Sequence, residues 1–331
     1  MSVRNTNKLN HKDLKYLLID NLKLYTENAF YIEGNNPYTF SINKKTVYIY
    51  IKNVHQSGQN RSNEDECRIQ VSSSQNFVQA QSSGKIVFMF GYFDDENIFT
   101  AWNPHVFRDR INSRQTVSLY SRFSIQKDAN KNGISVYKDN NNNTAISFKP
   151  EYIGLYLENY NNMHMLNQIE LKELIEKYDN LNSPESEKEQ IQVSKLNYTV
   201  THTHTPRDPN FKRIIDEIYG HRCAVCGIQL ELVEAAHIIP HSHEKGSDDP
   251  TNGICMCALH HTAYDKGLIY IDESYKIKIN EDKVSYLEKI KRDGGISKFL
   301  KLHNEELDLP SSNRPSVEFI KVANTIRGIS E

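Results

Sequence analysis

Between residues 46 and 102 the chain alternates short apolar runs with polar breaks. TVYIYIKNV (46–54), ECRIQVSS (66–73), KIVFMFGYF (85–93) and NIFTAW (97–102) are rich in β-branched and aromatic residues and are separated by Gly, Asn, Asp and Ser. This pattern predicts strands. YLLIDNLKLYTENAF, near the start, has the spacing of an amphipathic helix leading into them. Asn140 to Asn143 is a polar run expected at a hairpin tip. HMLNQIELKELIEKYDNL (164–181) changes to a helical period, and Glu173 and Lys177 are placed as an i,i+4 pair. From Ser183 to about Pro209 the sequence is polar with no sustained apolar period, which reads as a linker. His202 and His204 in that stretch read as solvated linker residues. DPNFKRIIDEIYG resumes a helix, with Asp208 as N-cap, Pro209 at N1 and Gly220 as the stop.

These elements predict an α+β protein in three parts. Residues 1–160 form a β-rich domain, 161–205 a helix and linker, and 206–331 a compact domain with a helical trailer. Length agrees, since 331 residues are enough for two or three domains. Apolar residues make up 38% of the chain and no run is long enough for a membrane span, so ordinary packed cores and no membrane are expected. The N-terminus lacks the apolar core of a signal peptide.

Cysteine placement narrows the chemistry. Cys67 stands alone, whereas Cys223, Cys226, Cys255 and Cys257 fall close together. Clustering of this kind without a signal peptide points to reduced thiols, a metal and the cytoplasm. Cys223-x-x-Cys226 and Cys257-x-x-His260 each have the spacing of a zinc knuckle, and together they supply a closed tetrahedral set for structural Zn²⁺. Cys255, two residues from Cys257, could replace a ligand but is expected to be a buried thiol. Between the pairs, LVEAAHII reads as a strand ending at His237, followed by a loop to Asn252-Gly253, a second strand ICMC, and a helix from about Ala258. His237 and His261 then lie on facing elements and can point into one cleft.

AAHIIPHS, DPTNG and LHHTAYDKGLIYID in this order resemble the HNH endonuclease family, the ββα-metal nuclease fold, over roughly residues 205–310. LKLHNEELDLP and the following EFI resemble the C-terminal trailer of one HNH subfamily, and GQNRSNEDECRIQVS (58–72) resembles a stretch of restriction-type nucleases with a separate N-terminal recognition domain. The resemblance implies that His237 is the general base, Asn252 the middle residue and His261 the last His. A neutral imidazole titrates near working pH and suits the base role. A divalent ion, Mg²⁺ or Mn²⁺, held partly by His261 would stabilise the leaving oxygen. Asn252 can hold the loop and orient the base. Many HNH sites carry Asp immediately before the base, and here Ala236 occupies that place. His241 and Asp265 are the candidates for the missing ligand. The plain alternatives are a surface-loop histidine for His241, as for His243, and helix-end hydrogen bonding for Asp265.

The implied function is metal-dependent hydrolysis of double-stranded DNA by a restriction or defence enzyme, with a homodimer as one way to cut both strands. A zinc-supported binding module that has lost activity, and an RNA-cutting nuclease, are the alternatives. In AWNPHVFRDRINSRQTVSLYSRFSIQK (101–127), Arg108, Arg110, Arg114 and Arg122 are interleaved with Trp102, Phe107, Tyr120 and Phe123. They are candidates for DNA contact, weighed equally against a basic face over an aromatic core. Glu64, Asp65 and Glu66 read as a solvent-facing turn. The net charge of −2 excludes a polycation, and residues 207–266 carry nine acidic against six basic side chains. DNA attraction is therefore expected from bound metal and the Arg-rich stretch.

Overall fold

The structure is a computed structural model that describes residues 8–57, 63–73, 75–82, 85–180, 188–193, 196–201, 209–302 and 305–329. His202, His204, Asp208 and the GQNRS segment (58–62) lie outside these. The chain divides into two compact units, one holding 1–14, 21–29 and 33–204, the other 15–20, 30–32 and 205–331.

The chain begins with helix α1 (His11–Tyr25), started by a capping box between Asn10 and Asp13. Strands β1 (Ala29–Glu33), β2 (Tyr38–Ile42), β3 (Lys45–Asn53), β4 (His55–Gln56) and β5 (Glu66–Ser72) follow, then α2 (Gln75–Ser82), β6 (Val87–Phe93) and β7 (Ile98–Trp102). Next come α3 (Pro104–Asn112), β8 (Thr116–Arg122), α4 (Phe123–Asn132), β9 (Ile134–Lys138), β10 (Thr144–Phe148), α5 (Ile153–Met163) and α6 (Gln168–Asp179). The main sheet of the first unit runs β2-β3-β6-β7-β10-β9, and its β3–β6 pair is parallel. A second sheet runs β4-β5-β8.

The two sheets share a core that includes Tyr50, Val54, Cys67, Ile69, Trp102 and Leu119. Alternation along β5 explains this, since Cys67, Ile69 and Val71 are buried while Gln70 is exposed. The sheets meet closely at Gly91, where a Cβ would approach Val54 to 2.8 Å and Ile69 and Trp102 to 3.1 Å. A larger residue there would force the layers apart.

The polar stretch read as a linker contains a hairpin, β11 (Lys188–Val193) with β12 (Leu196–Thr201). Val193 and Tyr198 are buried, and the Asn159 side chain of α5 bonds the backbone of Thr199 in both directions, at 2.7 Å each. The strands are mostly polar, so composition conceals them, and the few apolar side chains that pack suffice to hold the hairpin.

The second unit contains α7 (Pro209–Ile218), β13 (Val233–His237), β14 (Gly253–Cys257), α8 (Ala258–Asp265), β15 (Ile269–Ile271), β16 (Ile277–Ile279), α9 (Glu281–Lys289), α10 (Ile296–Phe299) and α11 (Val317–Ile326). β13 and β14 pair antiparallel with His237 opposite Gly253. Their core includes Ile215, Ala236, Ile254, Met256, Tyr264 and Ile320. Lys283, 3% exposed, reaches both carboxylate oxygens of Asp20 at 2.7 and 2.8 Å, a buried charge neutralised by a bidentate partner. The protein is thus α+β, with a β-rich N-terminal region. Among the described residues no helix is long and apolar enough to cross a membrane.

Candidate active site

The Cys223–Cys226 pair sits on a tight turn. Gly227 has φ +74, and its N–H donates to the Cys223 carbonyl at 2.8 Å while the Cys223 N–H donates to Ile228. The other pair lies where β14 passes into α8. Ligand atoms of Cys223, Cys226, Cys257 and His260 all fall within 4.8 Å of one another. Cys226 and Cys257 Sγ are 3.9 Å apart, close to the edge of a tetrahedron with metal–sulfur bonds of about 2.3 Å. His260 Nδ1 lies 3.2 Å from Cys257 Sγ and 3.8 Å from Cys223 Sγ. Burial opposes ionisation of Cys223, but hydrogen bonds from His260 and nearby backbone bring its pKa down to about 6. Burial pushes Cys226 up to about 12 and raises Cys257. Cys223 is therefore the cysteine of the set most readily ionised, and a divalent cation would favour the thiolate form of all three. This set could hold a structural metal ion. Cys255 points elsewhere, with Sγ 3.8 Å from Asp216 Oδ1, and burial raises its pKa to about 12.

His237 ends β13. Its ring stacks on Phe211 of α7, with centroids 3.9 Å apart and planes 8° from parallel, and Nε2 lies 2.8 Å from Asp248 Oδ1. Asp248 Oδ2 is 3.5 Å from His241 Nε2. Gly253 has room for no side chain, because a Cβ there would run into Ile215 and Phe211. Its extended backbone (φ −124, ψ 144) places it in the strand rather than in a turn. Asn252 is fully buried. Its Oδ1 accepts from Ile239 N at 2.9 Å, and its Nδ2 donates to the carbonyls of Ile239 at 3.0 Å and Ser247 at 2.8 Å. The Asn252 amide therefore secures the loop, while the His237 ring donates its hydrogen bond to Asp248 and packs on Phe211.

His261 belongs to a second group. Its Nδ1 is 2.7 Å from Glu234 Oε2 and its Nε2 is 3.2 Å from Asp265 Oδ2. Burial disfavours the charged ring, yet hydrogen bonding and charge from Asp265, then Glu234, raise its pKa. Strand alternation puts Glu234 on the same face as Ala236 and His237 on the other, so the two histidines, expected in one cleft, make separate sets of contacts. His241 is thus beside His237 and Asp248, whereas Asp265 is beside His261. Arg327, just past α11 and 2% exposed, spans both segments. Its Nε donates to Tyr264 O at 2.9 Å, Nη1 to Ile238 O at 3.0 Å, and Nη2 lies 3.3 Å from Asp265 Oδ1. Sequence reasoning missed Phe211, Glu234, Asp248 and Arg327. Glu234 was the most accessible of these, being two residues before Ala236 on the same strand face.

The arginines of the first unit are unequal. Arg108 donates to the Gln81 carbonyl, Arg110 and Arg114 are exposed, and the Arg122 guanidinium lies 5.3 Å from the Tyr137 ring centroid. Trp102 and Phe107 are core residues, 2% and 6% exposed, so they are not surface platforms for bases. Asp65 caps α4 through Ser124 N at 2.7 Å and Ser124 Oγ at 2.6 Å.

Residues 223–272 match the HNH endonuclease family, and residues 45–157 match the family described as Methylase-associated X1. The C-terminal unit carries an HNH endonuclease domain, and the chain is an endonuclease, an enzyme that hydrolyses phosphodiester bonds. Among solved structures it is similar to "Modification dependent TagI restriction endonuclease" at 12% identity and a TM-score of 0.28, over 85% of this chain and 81% of that one. No curated protein matches it.

Proposed function

We propose that the protein is a metal-dependent restriction or defence endonuclease that cuts double-stranded DNA, with His237 as general base. The observation that carries this reading is the Phe211–His237–Asp248 arrangement. Asp248 accepts a hydrogen bond from Nε2–H, which leaves the basic lone pair on Nδ1, and stacking on Phe211 fixes the ring plane. His237 would take the proton of the attacking water, and Asp248 would stabilise the imidazolium that forms.

His261 Nε2 and Asp265 Oδ2, 3.2 Å apart, are spaced like adjacent ligands of an octahedral ion with bonds of about 2.1 Å. They would hold Mg²⁺ or Mn²⁺, with Glu234 on Nδ1 fixing the tautomer. Such an ion supplies charge neutralisation at the phosphate and the leaving 3′ oxygen. Arg327 holds Asp265 in place. The Cys223, Cys226, Cys257 and His260 set would hold Zn²⁺ and pin the outer ends of the hairpin.

The first unit would select the target, and the family name Methylase-associated X1 supports a link to DNA modification systems. Two chains acting together would cut both strands, and reduced thiols suit the cytoplasm. Digestion of plasmid DNA and of RNA, side by side, with Mg²⁺ or Mn²⁺ tests the proposal. DNA cleavage is expected, with none by His237→Ala although that variant still binds. Undiminished cutting by His237→Ala would falsify the site, and cleavage of RNA alone would overturn the substrate.

A further inference from the structure

The first unit contains a cavity of about 260 Å³ between α3, β8 and the β9–β10 tip. Its lining includes Tyr120, Tyr137, Arg110, Arg122, Asn140 and Asn141. We infer that this cavity receives one nucleobase extruded from duplex DNA. The inference goes beyond cleavage chemistry and takes from the proposed function only the polymer that is bound.

Size is the first argument. The volume falls below the roughly 300 Å³ lower end for drug-sized ligands, so it accommodates a single small planar group and not a run of bases. Surface chemistry is the second. Tyr137 carries the Arg122 guanidinium over its ring, and a planar π-system can stack on such an aromatic–guanidinium platform. Arg110, in the last turn of α3, is exposed and supplies positive charge at the same cavity, suited to the flanking phosphate.

The third argument is the tip loop. Asp139 Oδ1 accepts from the N–H groups of Asn141 and Asn143 at 2.8 Å each, and its Oδ2 accepts from Asn143 Nδ2 at 2.9 Å. The loop is therefore set in advance, and the exposed side chains of Asn140 and Asn141 carry amides that both donate and accept, as a base edge requires. Asp139 already serves three loop donors, which argues against a metal, and the charged and amide groups argue against a lipid. A base still paired in the duplex cannot enter a cavity that holds one small planar group, so the occupant must leave the stack.

The test uses the full-length His237→Ala chain, which keeps the DNA intact during measurement. Its affinity is compared for two otherwise identical duplexes, one fully paired and one with a central unpaired base. Extrusion costs less for the unpaired base, so binding to that duplex is expected to be tighter by about tenfold. Arg110→Ala and Tyr137→Ala, each added to His237→Ala, should bring the ratio to about one, and Arg110→Ala, at an exposed position, should do so with thermal unfolding unchanged. Asn141→Ala, at an exposed tip, should reduce the ratio without any packing change. A ratio of one before these substitutions, or a ratio they leave intact, overturns the inference. Cleavage by His237→Ala would instead overturn the proposed catalytic site, and it reads out separately from the ratio.

Discussion

Arg327→Ala should destabilise the second unit by about 3–5 kcal/mol, the sum of a stranded carbonyl and a desolvated cation–π contact. The guanidinium is 2% exposed, stacks 4.0 Å over the Tyr264 ring, and donates to the carbonyls of Ile238, Tyr264 and Ala323. Truncation takes the side-chain donor from the Ile238 carbonyl, and an unsatisfied buried acceptor costs about 1–3 kcal/mol, whereas the Tyr264 and Ala323 carbonyls still accept from Gly267 N and Arg327 N. The Asp265 pair adds little, because that carboxylate is 47% exposed. Most of the loss should therefore come from the Ile238 carbonyl and from the ring contact. Arg327→Lys keeps the charge but cannot bridge three carbonyls, so it should recover less than half. Denaturant unfolding with excess Zn²⁺ measures this. A loss below about 1 kcal/mol for Arg327→Ala, or full recovery by Lys, would refute the reasoning.

Three further outcomes follow from particular contacts. His164 is held by Thr144 Oγ1 at 2.6 Å and the Tyr156 hydroxyl at 3.0 Å, and burial lowers its pKa to about 3. The unfolded chain takes up the proton near pH 6.5. Stability is therefore undiminished above that pH and declines by about 1.4 kcal/mol per unit as pH falls toward 3, or about 2 kcal/mol by pH 5. His164→Gln should flatten that slope, and an unchanged slope would sink the assignment. Gly253→Ala should push Phe211 from the His237 ring and cut the cleavage rate by at least about tenfold with zinc content unchanged; wild-type rates would show that the stacking is dispensable. Glu234→Gln should weaken Mn²⁺ binding by about 10–100-fold, and equal affinity by calorimetry would remove Glu234 from the site.

Local spacing made several elements readable before the structure. The Cys-x-x-Cys turn, the start of α8 at Ala258 and the period of α6 each depend on residues within a few positions of one another. The parallel β3–β6 pair was not readable, because its partners are joined through β4, β5 and α2 and nothing in either strand encodes that direction. The β11–β12 hairpin was hidden by polar composition. Arg327 reaches Asp265 across 62 residues and Ile238 across 89, and no local pattern announces a partner at that range. Asp248 sits in an acidic loop where any of several carboxylates might have been chosen, and only the fold brings it to 2.8 Å from His237.

Ala236 has a consequence for how metal and DNA bind. With no carboxylate at 236, the next side chain on that face is Glu234, and it is engaged with His261 Nδ1, on the opposite side of the ring from Asp265. In the proposed site the described residues would then offer a catalytic ion two direct ligands, His261 Nε2 and Asp265 Oδ2. Phosphate and water must complete the octahedron, so the ion's affinity should depend on DNA. Reciprocity requires the ion to tighten DNA binding by the same factor. The net acidity of residues 207–266 points the same way, since phosphate has few fixed cations there to meet. Mn²⁺ titrated into His237→Ala should bind at least about tenfold more tightly with duplex present. Equal affinity with and without DNA would mean that a further protein ligand completes the site.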